Sequence, residues 1–192
     1  ALRRAHEATA EGLSPYHLAL RLRAWLPREA MLTTDVGSHK LLFGQVWPTY
    51  EPLTFFMSNG LSSMGYGFPA ALAAKLLHPE RPVVAVCGDG GFAMMLHDLE
   101  TAVRLRLPVV TLVLSDGSLA LIRLVQEKRG FPPCGVDFGS TDFAAAARAM
   151  GAAGVQARTF EEVEAAVRAG LAARGPTVVD IPIDPSEYAH QM

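Results

Sequence analysis

The chain contains few cysteines, no long apolar run and no basic run. Its 192 residues include two cysteines, Cys87 and Cys134, too few for a disulfide framework and without the spacing of metal ligands. No stretch reaches the ~18 apolar residues of a membrane-spanning helix, and no signal-peptide pattern is present. The net charge is −2, without the basic cluster of a nucleic-acid surface. These absences predict a reduced, cytoplasmic protein with neither nucleic acid nor membrane as a partner.

Apolar residues are plentiful and are arranged in short runs. They make up 50% of the chain against 19% charged residues, enough for one large domain with a sizeable core. Most runs do not alternate with polar residues, which is typical of strands buried on both faces of a parallel sheet. The predicted strands occupy residues 30–35, 53–58, 82–87, 108–114, 153–158 and 176–183.

Helical patterns lie between these runs, at residues 14–26, 63–77, 92–106, 141–150 and 159–174. In the third segment, Leu96, Leu99 and Val103 recur on one helical face, and the last segment opens with a capping box of Thr159 and Glu162. Strand and helix alternate throughout. This order predicts an α/β domain with a parallel sheet over residues 14–192, and residues 1–13 are interpreted as a connector from a missing upstream domain.

Two predicted strands end at an aspartate among small residues, Asp89 in CGDGG and Asp116 in SDGS. Ligands of α/β folds bind at the carboxyl ends of the strands. Gly88, Gly90 and Gly91 allow backbone N–H groups to approach an anion. An aspartate within a phosphate site repels the phosphate unless a cation lies between them. Two such carboxylates suit Mg²⁺, which binds a few carboxylates together with phosphate oxygens.

Simpler interpretations of each residue stay open when it is taken alone. GDG and SDG are ordinary turn sequences, and the dinucleotide fingerprint G-x-G-x-x-G is absent. His39 in DVGSH is equally typical of a solvent-facing histidine at a helix start, and Met64 is typical of a core residue. The combination of two strand-end acids, glycines, a helix start and fixed spacing favours a metal and diphosphate site.

Longer segments resemble thiamine diphosphate-dependent enzymes, in particular the C-terminal domain of the acetolactate synthase group. GDGGF followed by Ser115-Asp116, 27 residues after Asp89, is similar to the family's GDG and Asn-Asn motif. Asp116, in place of the second asparagine, keeps an oxygen ligand. Ser115, in place of the first, lacks the side-chain amide that holds the turn in the family. The resemblance covers residues 14–185, in DVGSH, YEPLTFFMSNGLSSMGYGFPAALAAK, LETAVRLRLPVV, VDFGSTDF and GPTVVDIPID. It implies a three-layer α/β sandwich with a six-stranded parallel sheet flanked by helices.

The resemblance also implies roles for individual residues. Asp89 and Asp116 would bind Mg²⁺ through their side chains, and Ser118 through its carbonyl group. The carbonyl of Ser62 would accept a hydrogen bond from the aminopyrimidine of thiamine diphosphate, and Met64 would wedge between the two rings of this cofactor. The remaining cofactor contacts would come from Gly37, Ser38, His39, Gly88, Gly90, Gly91, Leu119 and Ile122.

Two further positions concern the substrate. Val125 stands where biosynthetic acetohydroxyacid synthases carry a tryptophan that favours 2-oxobutyrate, so the resemblance implies no strong preference for that acceptor. Gln126 would lie beside the substrate. Plain helix packing is an equally good interpretation of Val125.

The function implied is that of the cofactor-anchoring domain of an acetolactate synthase-like enzyme. Such an enzyme decarboxylates a small 2-oxo acid such as pyruvate and transfers the acyl group to a second carbonyl. No catalytic residue is expected in this chain, because the glutamate that tunes the cofactor lies on the pyrimidine-binding domain of a partner subunit. The chain is therefore expected to be inactive alone and to form a homo-oligomer, a dimer or a tetramer. An exposed apolar patch for that partner would include Leu61, Met64, Phe68 and Leu119.

Two alternatives remain on the sequence alone. One is a stand-alone subunit of a two-chain 2-oxo acid decarboxylase, such as sulfopyruvate decarboxylase. The other is a non-catalytic nucleotide-binding or assembly module that keeps the fold.

Overall fold

A six-stranded parallel sheet lies at the centre of the computed structural model, which describes residues 13–191. Every pairing between neighbouring strands is parallel. The six-stranded parallel sheet that the resemblance implied is confirmed, and each strand falls within or next to a predicted run. The strands are β1 (Met31–Thr34), β2 (Phe55–Met57), β3 (Val83–Gly88), β4 (Val109–Ser115), β5 (Ala153–Gln156) and β6 (Thr177–Pro182). They lie side by side in the order β2-β1-β3-β4-β6-β5.

Eight α-helices and a 3₁₀ helix connect or flank the strands within the described residues. Two of them, Ser38–Val46 and Ala120–Lys128, lie outside the predicted helical segments, and neither begins with a side-chain cap. The capping box of Thr159 and Glu162 is confirmed at the start of the last α-helix. The helices are α1 (Pro15–Trp25), α2 (Ser38–Val46), α3 (Gly67–Leu77), α4 (Asp89–Met94), α5 (Asp98–Arg104), α6 (Ala120–Lys128), α7 (Phe143–Ala149) and α8 (Phe160–Ala172), followed by the 3₁₀ helix (Pro185–Gln191).

The sheet separates two apolar cores, which gives the expected three layers. Successive side chains of a strand point to opposite faces, so Val84 and Val86 of β3 join one core and Val83 and Ala85 join the other. Helices α1, α2 and α8 pack on the first face, and α3, α4, α5 and α7 pack on the second. Because both faces of β3 and β4 are covered, these strands carry apolar residues continuously and not alternately.

The prediction of one continuous helix over residues 92–106 was wrong. The chain forms α4 and α5 instead, and the two helices are separated by a turn at Met95. The N–H of Met95 donates to the carbonyl of Phe92 at 3.0 Å, and the N–H of Leu99 donates to that of Leu96 at 3.1 Å. Phe92 and Leu99 are buried in the same core. The apolar spacing therefore continues across the break, which is why the pattern resembled a single helix.

Residues 1–12 of the predicted connector lie outside the described residues. Its last residue, Leu13, forms a parallel bridge with Ile183, and its N–H donates to the carbonyl of Pro182 at 3.4 Å. Leu13 thus lies against the end of β6. In the described part of the chain no helix has the length and apolar character to cross a bilayer.

Candidate functional site

A cavity of about 230 Å³ opens at the carboxyl ends of β1, β3 and β4. Three connections surround it, namely those from β1 to α2, from β3 to α4 and from β4 to α6. The loop after β2 and the 3₁₀ helix contribute the remaining wall. All residues predicted from the resemblance to contact the cofactor or the metal line it: Gly37, Ser38, His39, Ser62, Met64, Gly88, Asp89, Gly90, Gly91, Asp116, Ser118, Leu119 and Ile122.

Asp89 joins two of these connections. It follows the last residue of β3, and 5% of it is exposed. Its Oδ1 accepts from the N–H of Gly90 at 2.8 Å, and its Oδ2 accepts from the N–H groups of Asp116 at 3.0 Å and Gly117 at 2.7 Å. Burial raises the pKa of Asp89, and these N–H groups act in the opposite direction. The Asp89 carboxylate thus supports the turn after β4, so this turn does not depend on an amide at position 115.

Asp116 places a second carboxylate beside Asp89. Its Oδ1 accepts from the N–H of Ser118 at 2.8 Å. Burial, followed by the charge of Asp89, raises the pKa of Asp116 to about 6. A buried and a half-buried carboxylate that repel one another are suited to a divalent cation. No group of three or more His, Cys, Asp or Glu side chains forms within residues 13–191, so a cation here would also need backbone carbonyls and oxygens of a ligand.

Ser115 turns to the other side of this acid pair. Its hydroxyl donates to Oδ1 of Asp180 at 2.6 Å, and Oδ2 of Asp180 accepts from the N–H of Phe143 at 3.3 Å. A second cavity of about 560 Å³ lies on that side, and Asp89 and Asp116 separate it from the first. The serine in place of asparagine therefore joins β4 to β6, and Asp180 in turn joins β6 to the start of α7.

The start of α2 brings two unsatisfied polar atoms to the first cavity. Oγ of Ser38 and Nε2 of His39 are buried and have no hydrogen-bond partner in the described part of the chain. Such atoms are uncommon and call for an unseen water, ion or ligand. His39 is 4% exposed, so the interpretation of a solvent-facing histidine is wrong. Burial lowers the pKa of His39 to about 4, and its imidazole is neutral at pH 7.

Glycines keep the cavity open. A Cβ atom at Gly90 would lie 3.1 Å from Cδ2 of Leu119 and 3.3 Å from Cε of Met64. At Gly88 it would lie 3.2 Å from Cε1 of His39. Met64 is partly exposed and reaches into this space, so it is not a core residue. Any side chain at these glycines would occupy the volume that a ligand would use.

Asp35 shapes the wall next to α2, a role that sequence reasoning missed. Its carboxylate is 1% exposed, and its Oδ1 accepts from the N–H groups of Val36 at 2.6 Å and Gly65 at 2.9 Å. A Cβ atom at Gly91 would lie 2.3 Å from Oδ2 of Asp35. Burial raises the pKa of Asp35. Its position at a strand end was visible in the sequence, but the loops that it holds come from distant segments.

Tyr188 is a second lining residue that sequence reasoning missed. It lies in the 3₁₀ helix, is 2% exposed and reaches the cavity from the carboxyl-terminal end of the chain. Burial, followed by the charges of Asp116 and Asp89, raises its pKa well above the usual range. The local sequence around SEYAH contains no pattern that predicts a cavity-lining role for Tyr188.

Val125 and Gln126 lie on α6 but not among the residues that line the cavity. The side chain of Gln126 instead donates through Nε2 to the carbonyl of Cys134 and accepts through Oε1 from the N–H of Cys134, both at 3.1 Å. This pair of bonds fixes the loop after α6. A contact of either residue with a substrate stays a prediction.

The predicted apolar patch is partly present. Leu61 is 95% exposed, and Met64 and Leu119 are partly exposed. The inclusion of Phe68 was wrong, because this side chain is buried and packs edge-to-face against Phe92 with ring centroids 5.3 Å apart. Its helix turns Phe68 towards the core between α3 and α4.

Comparison with known families agrees with this geometry. The family described as "Thiamine pyrophosphate enzyme, C-terminal TPP binding domain" matches residues 35–181, a range that contains both acids and every glycine of the cavity. The chain belongs to this family. The expected kinship with thiamine diphosphate-dependent enzymes is therefore confirmed.

The curated relatives of this thiamine pyrophosphate-binding domain include acetolactate synthases. The acetolactate synthase of Bacillus subtilis (strain 168) is 35% identical over 173 residues, which cover 90% of this chain and 30% of the relative. The catabolic acetolactate synthase of Raoultella terrigena is 32% identical over 182 residues, 95% of this chain and 33% of the relative. The chain thus spans about a third of the length of these relatives.

A solved structure with the same fold is a decarboxylase. The thiamine diphosphate-dependent 4-hydroxybenzoylformate decarboxylase of Rhodococcus jostii RHA1 superposes with a TM-score of 0.86 at 26% identity. The match covers 92% of this chain and 34% of the decarboxylase. The six-stranded α/β architecture is therefore that of thiamine diphosphate-dependent enzymes.

Proposed function

We propose that this domain anchors the diphosphate and Mg²⁺ of thiamine diphosphate in an acetolactate synthase-like enzyme. That enzyme would decarboxylate a 2-oxo acid such as pyruvate and transfer the acyl group to a second carbonyl. The observation that carries the proposal is the adjacent pair of the buried Asp89 and the half-buried Asp116, beside the unsatisfied atoms of Ser38 and His39 in one glycine-lined cavity.

The donor set fits such a cofactor. Asp89 and Asp116 would hold the cation through side-chain oxygens, and Ser118 through its carbonyl. The hydroxyl of Ser38 and the neutral imidazole of His39 would contact the diphosphate. The cation would offset the mutual repulsion of the two acids, and the diphosphate would supply hydrogen-bond partners for the unsatisfied atoms of Ser38 and His39.

The remaining residues of the cavity would orient the cofactor. Met64 and Leu119 supply apolar surface, and the carbonyl of Ser62 would accept from the aminopyrimidine. When bound, thiamine diphosphate supplies the acyl-anion chemistry. The acid that tunes the aminopyrimidine would come from the pyrimidine-binding domain of a partner subunit in a homo-oligomer.

A second candidate is a 2-oxo acid decarboxylase that releases the aldehyde without acyl transfer. The decarboxylase from Rhodococcus jostii RHA1 favours it, since it shares the fold at 26% identity. Product analysis with pyruvate, with the proposed pyrimidine-binding domain also present, separates the two candidates. Acetolactate supports the synthase, and acetaldehyde alone supports the decarboxylase.

The metal assignment is tested by calorimetry of thiamine diphosphate binding with and without Mg²⁺. We expect binding only with Mg²⁺ and a large loss in Asp116→Ala, since one carboxylate ligand is removed. Asp98→Ala is the matched control, because Asp98 lies in the first turn of α5 away from the cavity. Equal affinity with and without Mg²⁺, and in Asp116→Ala, would contradict the assignment. Absence of any thiamine diphosphate binding would favour a non-catalytic module.

A further inference from the structure

Lys40 is a buried lysine on α2 that follows His39 but does not line the cavity. Only 8% of it is exposed. Its Nζ donates to the carbonyl oxygen of Ser58 and to Oγ of Ser62, the latter at 3.1 Å. A buried ammonium group is costly unless its hydrogen bonds are satisfied. Both acceptors belong to the loop between β2 and α3, so this loop satisfies the hydrogen bonds of the ammonium group.

The loop bonded by Lys40 carries the residues expected at the aminopyrimidine. Ser62 has a backbone φ of 52°, in the left-handed region that non-glycine residues rarely adopt. Its hydroxyl also donates to the carbonyl of Ser58 at 3.2 Å, so Lys40, Ser62 and Ser58 form a closed set of hydrogen bonds. These bonds hold Ser62 in a conformation that it would otherwise leave.

A second support holds the same loop three residues later. The N–H of Gly65 donates to Oδ1 of Asp35 at 2.9 Å and to Oδ2 at 3.1 Å. Lys40 and Asp35 both belong to the β1–α2 segment, so one segment fixes the loop at two points. Ser62 and Met64 both line the cavity, and Met64 lies between the two points of support.

We propose that Lys40 is a positioning residue that fixes Ser62 and Met64 for the aminopyrimidine half of thiamine diphosphate. The inference rests on the proposed function. A lysine next to a diphosphate site would ordinarily be expected to bind the diphosphate through its ammonium group. Here the ammonium group is bonded to the loop, and Lys40 is not among the residues that line the cavity. Lys40 therefore acts on the ring end of the cofactor and not on its charged end.

A lysine that contacted the diphosphate would affect the affinities for thiamine diphosphate and for inorganic diphosphate alike. A lysine that positions only the ring-binding loop would affect the first affinity alone. Loss of a hydrogen bond to a charged group changes a binding equilibrium by about 10- to 100-fold. In Lys40→Met we expect a loss of that size for thiamine diphosphate. Inorganic diphosphate has no ring to be recognised, so its affinity with Mg²⁺ should stay within about twofold.

The experiment measures both ligands, each with Mg²⁺, by calorimetry on the full-length protein. Lys75→Met is the matched control, since Lys75 is 7% exposed and its Nζ donates to the carbonyl of Arg81 at 2.7 Å, outside the cavity. We expect Lys75→Met to lower the melting temperature but to leave both affinities unchanged. Ser62→Ala removes one acceptor of Lys40 and keeps the carbonyl, so it should weaken thiamine diphosphate alone, by less than Lys40→Met.

Several results would overturn the inference. Equal losses for both ligands in Lys40→Met would assign Lys40 to the diphosphate, and unchanged affinities would leave it no role in binding. If Lys40→Met does not fold, an unchanged thiamine diphosphate affinity in Ser62→Ala overturns the inference as well. Failure of the unsubstituted protein to bind thiamine diphosphate is a different result, because it rejects the proposed function itself.

Discussion

His39 illustrates how burial sets the charge of single residues in this site. Its imidazole lies at the start of α2 with 4% exposed, and burial lowers its pKa to about 4. For the nearby Asp116, burial and the charge of Asp89 raise the pKa to about 6. Both shifts disfavour the charged form. They act in opposite directions on stability as the pH falls, because protonation creates charge on the histidine and removes it from the acid.

The contribution of His39 can be isolated by substitution. Between pH 6.5 and about 4 the unfolded chain binds a proton at His39 and the folded chain does not. The free energy of unfolding therefore decreases as the pH is lowered through this range. The loss approaches about 3 kcal/mol, offset in part by Asp116 in the unsubstituted protein. We expect the free energy of unfolding of the unsubstituted protein, minus that of His39→Gln, to decrease from pH 7 to pH 4. Urea unfolding without Mg²⁺ measures it.

The exposed His78 provides the control for this measurement. His78→Gln removes a histidine that lies outside the cavity. The His39→Gln difference is compared with the difference that this exposed substitution gives over the same pH range. A pH-independent difference for His39→Gln would contradict a depressed pKa of the buried imidazole.

At the scale of elements, Asp180 connects two strands and a helix. It lies in β6, accepts from the hydroxyl of Ser115 at the end of β4, and accepts from the N–H of Phe143 at the start of α7. Ser115 is also the residue that departs from the asparagine of the family motif. The bond to Asp180 explains how a shorter side chain is accommodated there: it is anchored to the next strand.

Substitution of Asp180 tests this connection. Asp180→Ala leaves the Ser115 hydroxyl and the Phe143 N–H without their acceptor, which costs about 1–3 kcal/mol for each unsatisfied group. Asp180→Asn keeps an acceptor oxygen and removes a buried charge, so we expect a smaller loss. The free energy of unfolding from urea titration distinguishes the variants. If Asp180→Ala were as stable as the unsubstituted protein, the bonds of Asp180 would carry no weight in joining these elements.

At the scale of the whole molecule, the carboxylates of the described cavity bear on whether the chain could act alone. Asp89 and Asp116 are the only carboxylates among its described lining residues, and both are proposed as metal ligands. As metal ligands, neither carboxylate could also act as a catalytic acid. The chain also spans only 30% of the Bacillus subtilis acetolactate synthase, so other domains of such an enzyme would supply the opposite wall.

We therefore predict that this chain alone does not turn over pyruvate. Acetolactate and CO₂ are measured with thiamine diphosphate and Mg²⁺, first with this chain and then with the proposed pyrimidine-binding domain added. General acid–base catalysis contributes about 10²- to 10⁴-fold in rate, so without its acid the activity should be undetectable. Turnover by the chain alone would mean that it contains a catalytic group among its own residues.

The sequence by itself determined the elements whose pattern is local. Continuous apolar runs marked β3 and β4, because these strands are covered on both faces and their side chains must suit a core. The edge strands β2 and β5 are half-buried or exposed, and they were marked by shorter runs. The capping box of Thr159 and Glu162 involves residues three apart, and it formed as predicted. Asp89 and Asp116 were found because strand ends and glycines are visible in the chain, and a parallel sheet brings strand ends to one edge.

Only the tertiary structure decided which distant groups meet. The contacts of Asp35 with Gly65, and of Lys40 with Ser62, depend on β2 lying next to β1 in the sheet. The break at Met95 was hidden because the residues on both sides of it pack into one core. Hydrophobic periodicity specifies which face of an element is buried, but not which element covers it. That choice is made by the packing of the whole sheet, which no local pattern records.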